Sequence, residues 1–134
     1  MIQNKICSIS NKDVKDIILK AKSLPNIHVA ELDGKTVQSL QKYLCEIENV
    51  FKFPGTCLGL LGRYLDWMTD LGWLKCDAYI LVIHNYKDFL ARNFPLKKMI
   101  MDDFNEIILP WWQGEVIKWV VDGKAKSFCV YMVS

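Results

Sequence analysis

Two apolar runs constrain the fold of this 134-residue chain more than any other feature of its sequence. Residues 78–83 (AYILVI) and 128–133 (FCVYMV) are apolar throughout and are bounded by polar residues. A short run of this kind is typical of a parallel strand whose two faces are both covered, because helices then pack on each side of the sheet. The two runs therefore predict an α/β domain built on a parallel sheet.

A third strand is predicted at 27–32, and the turn signal Asp33-Gly34 follows it directly. Helical periodicity separates the strands. The predicted segments are an amphipathic helix within residues 1–25, a helix from an N-cap at Thr36 to about Val50, another from Leu58 to about Leu71, and a short one at 88–92. Helical crossovers between strands favour parallel pairing. The sequence thus predicts a three-stranded parallel sheet packed by helices, with an extra N-terminal helix.

Two further helical segments are predicted before the last strand. One begins near residue 96, and its apolar stripe is Leu96, Ile100, Phe104 and Ile107. Pro110 is expected to stop or kink that helix. The other is indicated by the apolar residues Trp111, Trp112, Val116, Trp119 and Val120. The adjacent tryptophans are expected to pack a kink into the core.

Charge and composition exclude several classes of function. The net charge of +2 is too small for the basic field that sequence-independent nucleic-acid binding needs. No apolar run approaches the ~20 residues that span a bilayer, and no secretory signal is evident, so we expect a cytoplasmic protein without a membrane partner. The five cysteines form no CxxC pair and the chain has two histidines. We therefore expect neither disulfides, nor a metal site, nor a cofactor.

One face of the predicted 58–71 helix is free to meet a partner. Apolar residues occupy most of its circumference, while one sector of the helical wheel, extended to residue 73, carries the remaining residues. These residues are Gly59, Gly62, Arg63, Asp66, Thr69, Asp70 and Trp73. The glycines at 55, 59 and 62 match neither phosphate-binding fingerprint, since no strand leads into them and no Lys-Ser/Thr pair follows.

The order of these segments resembles the barstar family. The similarity is carried by residues 27–36 (IHVAELDGKT), by Phe53-Pro54, and by residues 66–74 (DWMTDLGWL), and it extends loosely over 27–134. The resemblance implies a barstar-like domain at 27–134 and an N-terminal extension at 1–26. With Phe53-Pro54 in register, Asp66 matches an interface Asp of the family and Thr69 matches an interface Thr.

Other positions depart from the family pattern. Gly62 stands where the family has its first interface Asp, and Thr56 and Cys57 replace the aromatic residues of the turn. Leu58 and Leu60 replace a Gly and an Asn. Residues 36–74 carry a net charge of only −1, and Arg63 lies within the face that the resemblance expects to be acidic. The nuclease-facing surface of the family is therefore only partly retained.

The resemblance implies a protein inhibitor, not an enzyme. Family members present carboxylates to the cationic active site of a microbial ribonuclease. We therefore expect an immunity protein that forms a one-to-one complex with a cognate toxin, which is expected to be a nuclease. The expected partner-binding residues are Thr56, Gly59, Gly62, Arg63, Asp66, Thr69, Asp70 and Trp73.

Two alternatives remain open at this point. The chain could be an interaction module of the same fold with a partner that is not a toxin. It could also be a small hydrolase that uses His84, which follows a strand and could pair with Asp88 near the strand ends. No nucleophile stands beside His84 in the sequence, so this alternative depends on a single histidine.

Overall fold

A four-stranded, fully parallel sheet forms the centre of the structure, a computed structural model that describes residues 3–134. The strands are β1 (Lys5–Ile9), β2 (Ile27–Asp33), β3 (Ala78–His84) and β4 (Ser127–Val133). Their order across the sheet is β1-β4-β3-β2, so the two apolar runs become the two central strands. The mixed α/β class, the parallel sheet and its packing by helices are confirmed.

The prediction of three strands is wrong, because a fourth strand lies in the N-terminal segment. Strand β1 pairs with the outer edge of β4, with Lys5 opposite Cys129 and Ile9 opposite Val133. Its five residues mix apolar and polar side chains, which is the pattern of an edge strand and gives a weak sequence signal. The first two residues of the predicted N-terminal extension lie outside the described part of the chain.

The main hydrophobic core lies on one face of the sheet. Helices α2 (Leu40–Val50), α3 (Leu61–Met68) and α4 (Phe94–Asp103) contribute to it. Large aromatic side chains fill its centre and are fully buried, namely Tyr43, Phe51, Tyr64, Tyr79, Phe89, Phe104 and Phe128. Burial of such rings supplies most of the driving force for packing helices on a sheet.

Helix α1 (Asn11–Lys22) covers the opposite face of the sheet, as the amphipathic pattern predicts. Val14 is fully buried there and packs in one cluster with Val82 of β3 and Val133 of β4. Ser10 caps the helix, since its side chain accepts a hydrogen bond from the amide of Asp13 at 3.1 Å. The β1–α1 unit therefore extends the sheet by one strand and also encloses a second, smaller core.

Helices α2 and α3 are shorter than the sequence pattern predicts. Ser39, not Thr36, caps α2 by accepting a hydrogen bond from the Lys42 amide, while Thr36 belongs to the turn after β2. In front of α3, Leu58 and Gly59 adopt positive φ angles of 53° and 72°, so they cannot belong to the helix. Helix α3 ends at Met68, and a 3-10 turn, Gly72–Leu74, follows it.

The C-terminal helical segments differ most from the prediction. The chain stays helical past Pro110, because π-helical turns at Phe104–Ile108 and Trp111–Glu115 join α4 to α5 (Val116–Trp119). A π turn contains an extra residue and therefore shifts the helical period. As a result Ile108 is buried, whereas Ile107, which the pattern placed on the apolar stripe, is exposed. Pro110 therefore does not stop the helix, because the widened turns on either side accommodate its missing amide donor.

Substitution of Val14 measures how much the β1–α1 unit contributes to stability. We expect Val14→Ala to lower the free energy of unfolding by about 2 kcal/mol, because it removes two buried methyl groups and leaves a cavity. Leu19→Ala on the same helix is the matched control, since that side chain is 69% exposed. We expect the control to change stability by less than about 0.5 kcal/mol in urea denaturation. Equal effects of the two variants would contradict the packing of α1 on the sheet.

Candidate functional site

Three consecutive segments form the surface that the sequence predicts as partner-binding. They are the turn at 56–60, helix α3, and the chain from Thr69 through the 3-10 turn. The predicted residues therefore do not share one helical face, because Thr56 and Gly59 precede α3 and Thr69, Asp70 and Trp73 follow it. Most of the predicted residues are nevertheless exposed; Thr69 and Trp73 are half-buried.

The turn at 56–60 is held in place by one carboxylate of α2. Glu48 Oε2 accepts hydrogen bonds from the Cys57 amide at 2.8 Å and from the Thr56 hydroxyl at 3.3 Å. The Thr56 hydroxyl in turn accepts a hydrogen bond from the Leu58 amide at 3.1 Å. These contacts stabilise the left-handed conformation of Leu58, which a branched side chain otherwise disfavours.

The buried thiol below this turn does not resemble a nucleophile. Burial, together with the neighbouring Glu48 carboxylate, raises the pKa of Cys57 to about 12. The thiol is therefore protonated at neutral pH, and only a thiolate is reactive. Cys57 acts as a small core residue.

A shallow groove of about 240 Å³ brings three of the predicted charged residues together. Arg63, Asp66 and Asp70 line it, together with the half-buried Trp67. The Asp70 carboxylate also accepts a hydrogen bond from the Gly72 amide at 3.1 Å, which orients it at the end of the helix. Two carboxylates and one guanidinium thus share the groove, so its charge is mixed.

An aromatic cluster supports the groove from below. Trp67 packs edge-to-face on Trp73 with ring centroids 5.3 Å apart, and Phe53 contacts both rings. The Trp73 indole donates a hydrogen bond to the carbonyl oxygen of Phe51 at 2.9 Å. Trp73 therefore connects the chain after α3 to the loop before it, which fixes the two ends of the site relative to each other.

The remaining predicted residues lie nearby but in different surroundings. Thr56 and Gly59 line a second depression, between the turn and α2. Thr69 donates its hydroxyl hydrogen to the Leu65 carbonyl at 2.8 Å and faces a third groove, which it shares with Asp70. Gly62 is exposed on α3, and a side chain added there would meet no atom within 4 Å.

His84 lies at the carboxyl end of β3 and pairs with a different carboxylate from the one suggested by the sequence. Its Nε2 atom is 2.9 Å from Glu31 of β2, not beside Asp88, and Glu31 also forms an ion pair with Lys22. Within residues 3–134, no serine, threonine or cysteine side chain is hydrogen-bonded to the His84 ring. In the described chain, His84 and Lys22 thus share the Glu31 carboxylate, and the arrangement lacks the side-chain nucleophile that hydrolysis through a covalent intermediate requires.

Residues 3–134 contain no group of three or more His, Cys, Asp or Glu side chains arranged to hold a metal ion. None of the helices within the same residues has the length and apolar character required to cross a bilayer.

The family of the chain follows from comparison with known proteins. A family model described as Barstar (barnase inhibitor) matches residues 27–122, which is more than two-thirds of the chain. The chain belongs to the barstar family. The match begins at the first residue of β2 and spans the whole candidate site and the C-terminal helical segments. No curated protein and no solved structure matches the chain.

The sequence pattern missed the apolar part of this barstar-family surface. Leu58 and Leu60 are 61% and 55% exposed on the turn before α3. Trp119, which the pattern counted among the apolar residues of the last helical segment, is 75% exposed. The one sequence signal at the turn was the comparison with the family pattern, in which Leu58 and Leu60 replace a Gly and an Asn.

Removal of the Trp73 hydrogen bond tests how the site is held together. We expect Trp73→Phe to lower the free energy of unfolding by about 1 kcal/mol, because the Phe51 carbonyl loses a half-buried donor. Trp119→Phe is the matched control, since it makes the same change on an exposed tryptophan, and it should leave stability unchanged. Chemical denaturation of both variants distinguishes them, and equal stability losses would contradict the role of Trp73.

The stability of the protein should depend on His28, whose Nε2 atom lies 2.8 Å from the Val50 carbonyl at the end of α2. Burial lowers the pKa of His28 from 6.5, so the unfolded state binds a proton more readily than the folded state. The contribution of neutral His28 is therefore complete above pH 6.5 and is lost as the pH falls toward the folded pKa.

The matched variant is His28→Gln, which keeps a donor but does not titrate. As the pH is lowered from about 8 to about 5, we expect the free energy of unfolding of the unmodified protein to decrease relative to that of this variant. Unfolding curves at several pH values measure the difference. A constant difference, or an NMR titration that places the pKa of His28 above 6.5, would contradict the prediction.

Proposed function

We propose that this chain is a protein inhibitor that occludes the active site of a cognate toxin, with a nuclease as the expected target. The observation that carries the proposal is the exposed groove of Arg63, Asp66 and Asp70 at the C-terminal end of α3, in a chain of the barstar (barnase inhibitor) family. The proposed contact residues are Thr56, Gly59, Gly62, Arg63, Asp66, Thr69, Asp70 and Trp73.

The physical basis of such inhibition is electrostatic complementarity. An enzyme that binds phosphate groups places Arg and Lys side chains in its cleft, and carboxylates presented by another protein compete for the same positions. Asp66 is exposed in the last turn of α3, and Asp70 is exposed just after the helix ends. Both carboxylates are therefore accessible to a cationic cleft without unfolding any part of the scaffold.

The mixed charge of the groove supports a target that differs from the microbial ribonuclease with a cationic active site that family members block. Arg63 would face the cationic residues of such an enzyme and would weaken the complex by like-charge repulsion. A target with an acidic group beside its cationic cleft would instead pair with Arg63. We therefore propose an immunity protein whose cognate toxin carries both charges at the docking site.

This proposal includes a one-to-one complex, a cytoplasmic location and the absence of enzymatic activity. It also divides the chain into a barstar-like domain at 27–134 and an N-terminal extension at 1–26, supported by the family match, which begins at Ile27. An interaction module with a partner that is not a toxin is the alternative. The test is co-expression with the product of the neighbouring gene, which the immunity proposal expects to be a toxin.

The decisive variant removes the central carboxylate of the site. We expect Asp66→Ala to weaken binding of the toxin by ~2 kcal/mol or more, because a central charge in an interface loses its partner. Asp66→Asn keeps the side-chain volume and removes the charge, so a similar effect of this variant would show that the charge is responsible. Asp16→Ala removes another exposed carboxylate, from α1, and serves as the control.

Isothermal titration calorimetry with an inactive form of the toxin measures these affinities. The affinity of the unmodified chain should also decrease with ionic strength more steeply than that of the Asp66 variants. An unchanged affinity of Asp66→Ala would remove this residue from the site. Failure of the unmodified chain to bind the toxin would remove the proposed function.

A further inference from the structure

Asn4 joins the N-terminal segment to two distant parts of the chain through four hydrogen bonds. Its backbone amide donates to the Gln113 side-chain oxygen at 2.7 Å. Its Nδ2 atom donates to the Leu109 carbonyl at 3.2 Å and to the Lys126 carbonyl at 3.1 Å, and its Oδ1 atom accepts from the Phe128 amide at 2.9 Å. The half-buried side chain therefore uses both of its amide hydrogens and its oxygen.

The chemistry of these partners requires an asparagine at this position. Two carbonyl oxygens accept and the Phe128 amide donates, so the group between them must supply two hydrogens and one oxygen. An aspartate has the same shape, but when it is ionised it supplies no hydrogen and brings a negative charge beside two carbonyl oxygens. A half-buried backbone group that loses its partner destabilises the conformation that placed it there. Loss of the Asn4 amide would therefore affect three backbone groups together.

Two of the partners of Asn4 belong to the irregular part of the C-terminal helical segment. The Leu109 carbonyl lies between the π turns at Phe104–Ile108 and Trp111–Glu115, and Gln113 belongs to the second turn. Turns of this kind are rare in helices, and they are frequently found at functional sites. Asn4 thus contacts both the second turn and the junction of the two, which stabilises this helical geometry.

A continuous series of hydrogen bonds leads from Asn4 to the end of α3. The Lys126 carbonyl accepts from Asn4, and the amide of the same lysine donates to the Trp112 carbonyl at 2.9 Å. The Trp112 indole donates to the carbonyl of Met68, the last residue of α3, at 3.0 Å in a buried position. Thr69, one of the proposed contact residues, follows directly. We call this series the Asn4 relay.

The residues of the relay also line the third groove. Trp112 and Lys126 line this groove, of about 520 Å³, together with Thr69 and Asp70. The Lys126 ammonium lies 3.2 Å from the Tyr79 hydroxyl and 5.5 Å from the centroids of the Tyr79 and Trp112 rings. A shift of the Lys126 backbone would therefore move a charged side chain in the groove that Asp70, a proposed contact residue, also lines.

We propose that Asn4 is a positioning residue for the partner-binding surface, which it holds through Lys126 and Trp112. The inference rests on the proposed function, since binding of the toxin reports the placement of Thr69 and Asp70. The family match begins at residue 27, so the residue that holds this part of the surface lies outside the matched part of the chain. The N-terminal extension is therefore part of the binding unit and not an appendage to it.

Hydrogen exchange of two tryptophan indoles tests the relay without a toxin. We expect Asn4→Ala to speed exchange of the Trp112 indole hydrogen about tenfold, because the C-terminal helical segment then opens locally. The Trp73 indole hydrogen, which is bonded to the Phe51 carbonyl, should keep its rate. NMR spectroscopy measures both rates in one sample. Gln3→Ala is the matched control, since it removes an adjacent, exposed amide side chain.

Titration with the inactive toxin tests the effect on binding. We expect Asn4→Ala to weaken binding about tenfold relative to Gln3→Ala, with an unchanged salt dependence because no charge is removed. In a Trp112→Phe background, Asn4→Ala should have little further effect, because both changes break the same relay. Asn4→Asp keeps the bond to the Phe128 amide and loses both donated bonds, so it should act like Asn4→Ala and replaces that variant if the latter does not fold.

The outcomes separate the inference from the proposed function. Equal acceleration of the Trp112 and Trp73 indoles would show a general loss of stability and would overturn the inference, as would additive effects of Asn4→Ala and Trp112→Phe. Full affinity of Asn4→Ala together with weakened binding of Asp66→Ala would overturn the inference and leave the inhibitor proposal intact. Absence of binding by the unmodified chain would overturn both.

Discussion

The buried hydrogen bond between the hydroxyl groups of Tyr43 and Tyr64 fixes the position of the candidate site. The two oxygen atoms are 2.6 Å apart, both side chains are fully buried, and they lie on α2 and α3 respectively. Burial raises the pKa of both tyrosines above the ordinary value, so both hydroxyl groups stay neutral. Each group would lack a partner if α3 slid along α2, and an unpaired buried hydroxyl costs about 1–3 kcal/mol. The pairing therefore permits one placement of α3.

Other contacts extend this placement to the whole surface. Glu48 holds the turn before α3, Trp73 joins the chain after α3 to the Phe51 carbonyl, and Trp112 joins the C-terminal segment to Met68. The last two bonds are made by indole nitrogens to backbone oxygens, which makes them insensitive to pH in the neutral range. Hydrogen bonds thus connect the separate segments from which the surface is assembled. Such preorganisation favours an inhibitor, because little order has to be created on binding.

Elements with a strongly periodic sequence pattern were predicted correctly. Elements that depend on local backbone geometry or on tertiary contacts were missed. The continuous apolar runs at 78–83 and 128–133 predicted β3 and β4, because a strand covered on both faces needs apolar side chains at every position. Strand β1 was missed, since KICSI lacks such a pattern and is ordered by pairing with β4. The π turns displaced the buried stripe from Ile107 to Ile108, and a regular period of 3.6 residues cannot anticipate them. The register with the family singled out Asp66, which the structure exposes on α3, whereas the exposure of Trp119 depends on where α5 ends.

The N-terminal unit changes what the sheet presents to its surroundings. Without β1, the outer edge of β4 would expose unpaired amide and carbonyl groups, which is a template for pairing with another chain. With β1 in place that edge is satisfied, and α1 also covers apolar residues on the second face of the sheet. The proposed partner surface lies elsewhere, on α3 and the segments that flank it. The chain therefore pairs the outer edge of β4 with its own residues, which leaves recognition of a partner to a surface of exposed side chains.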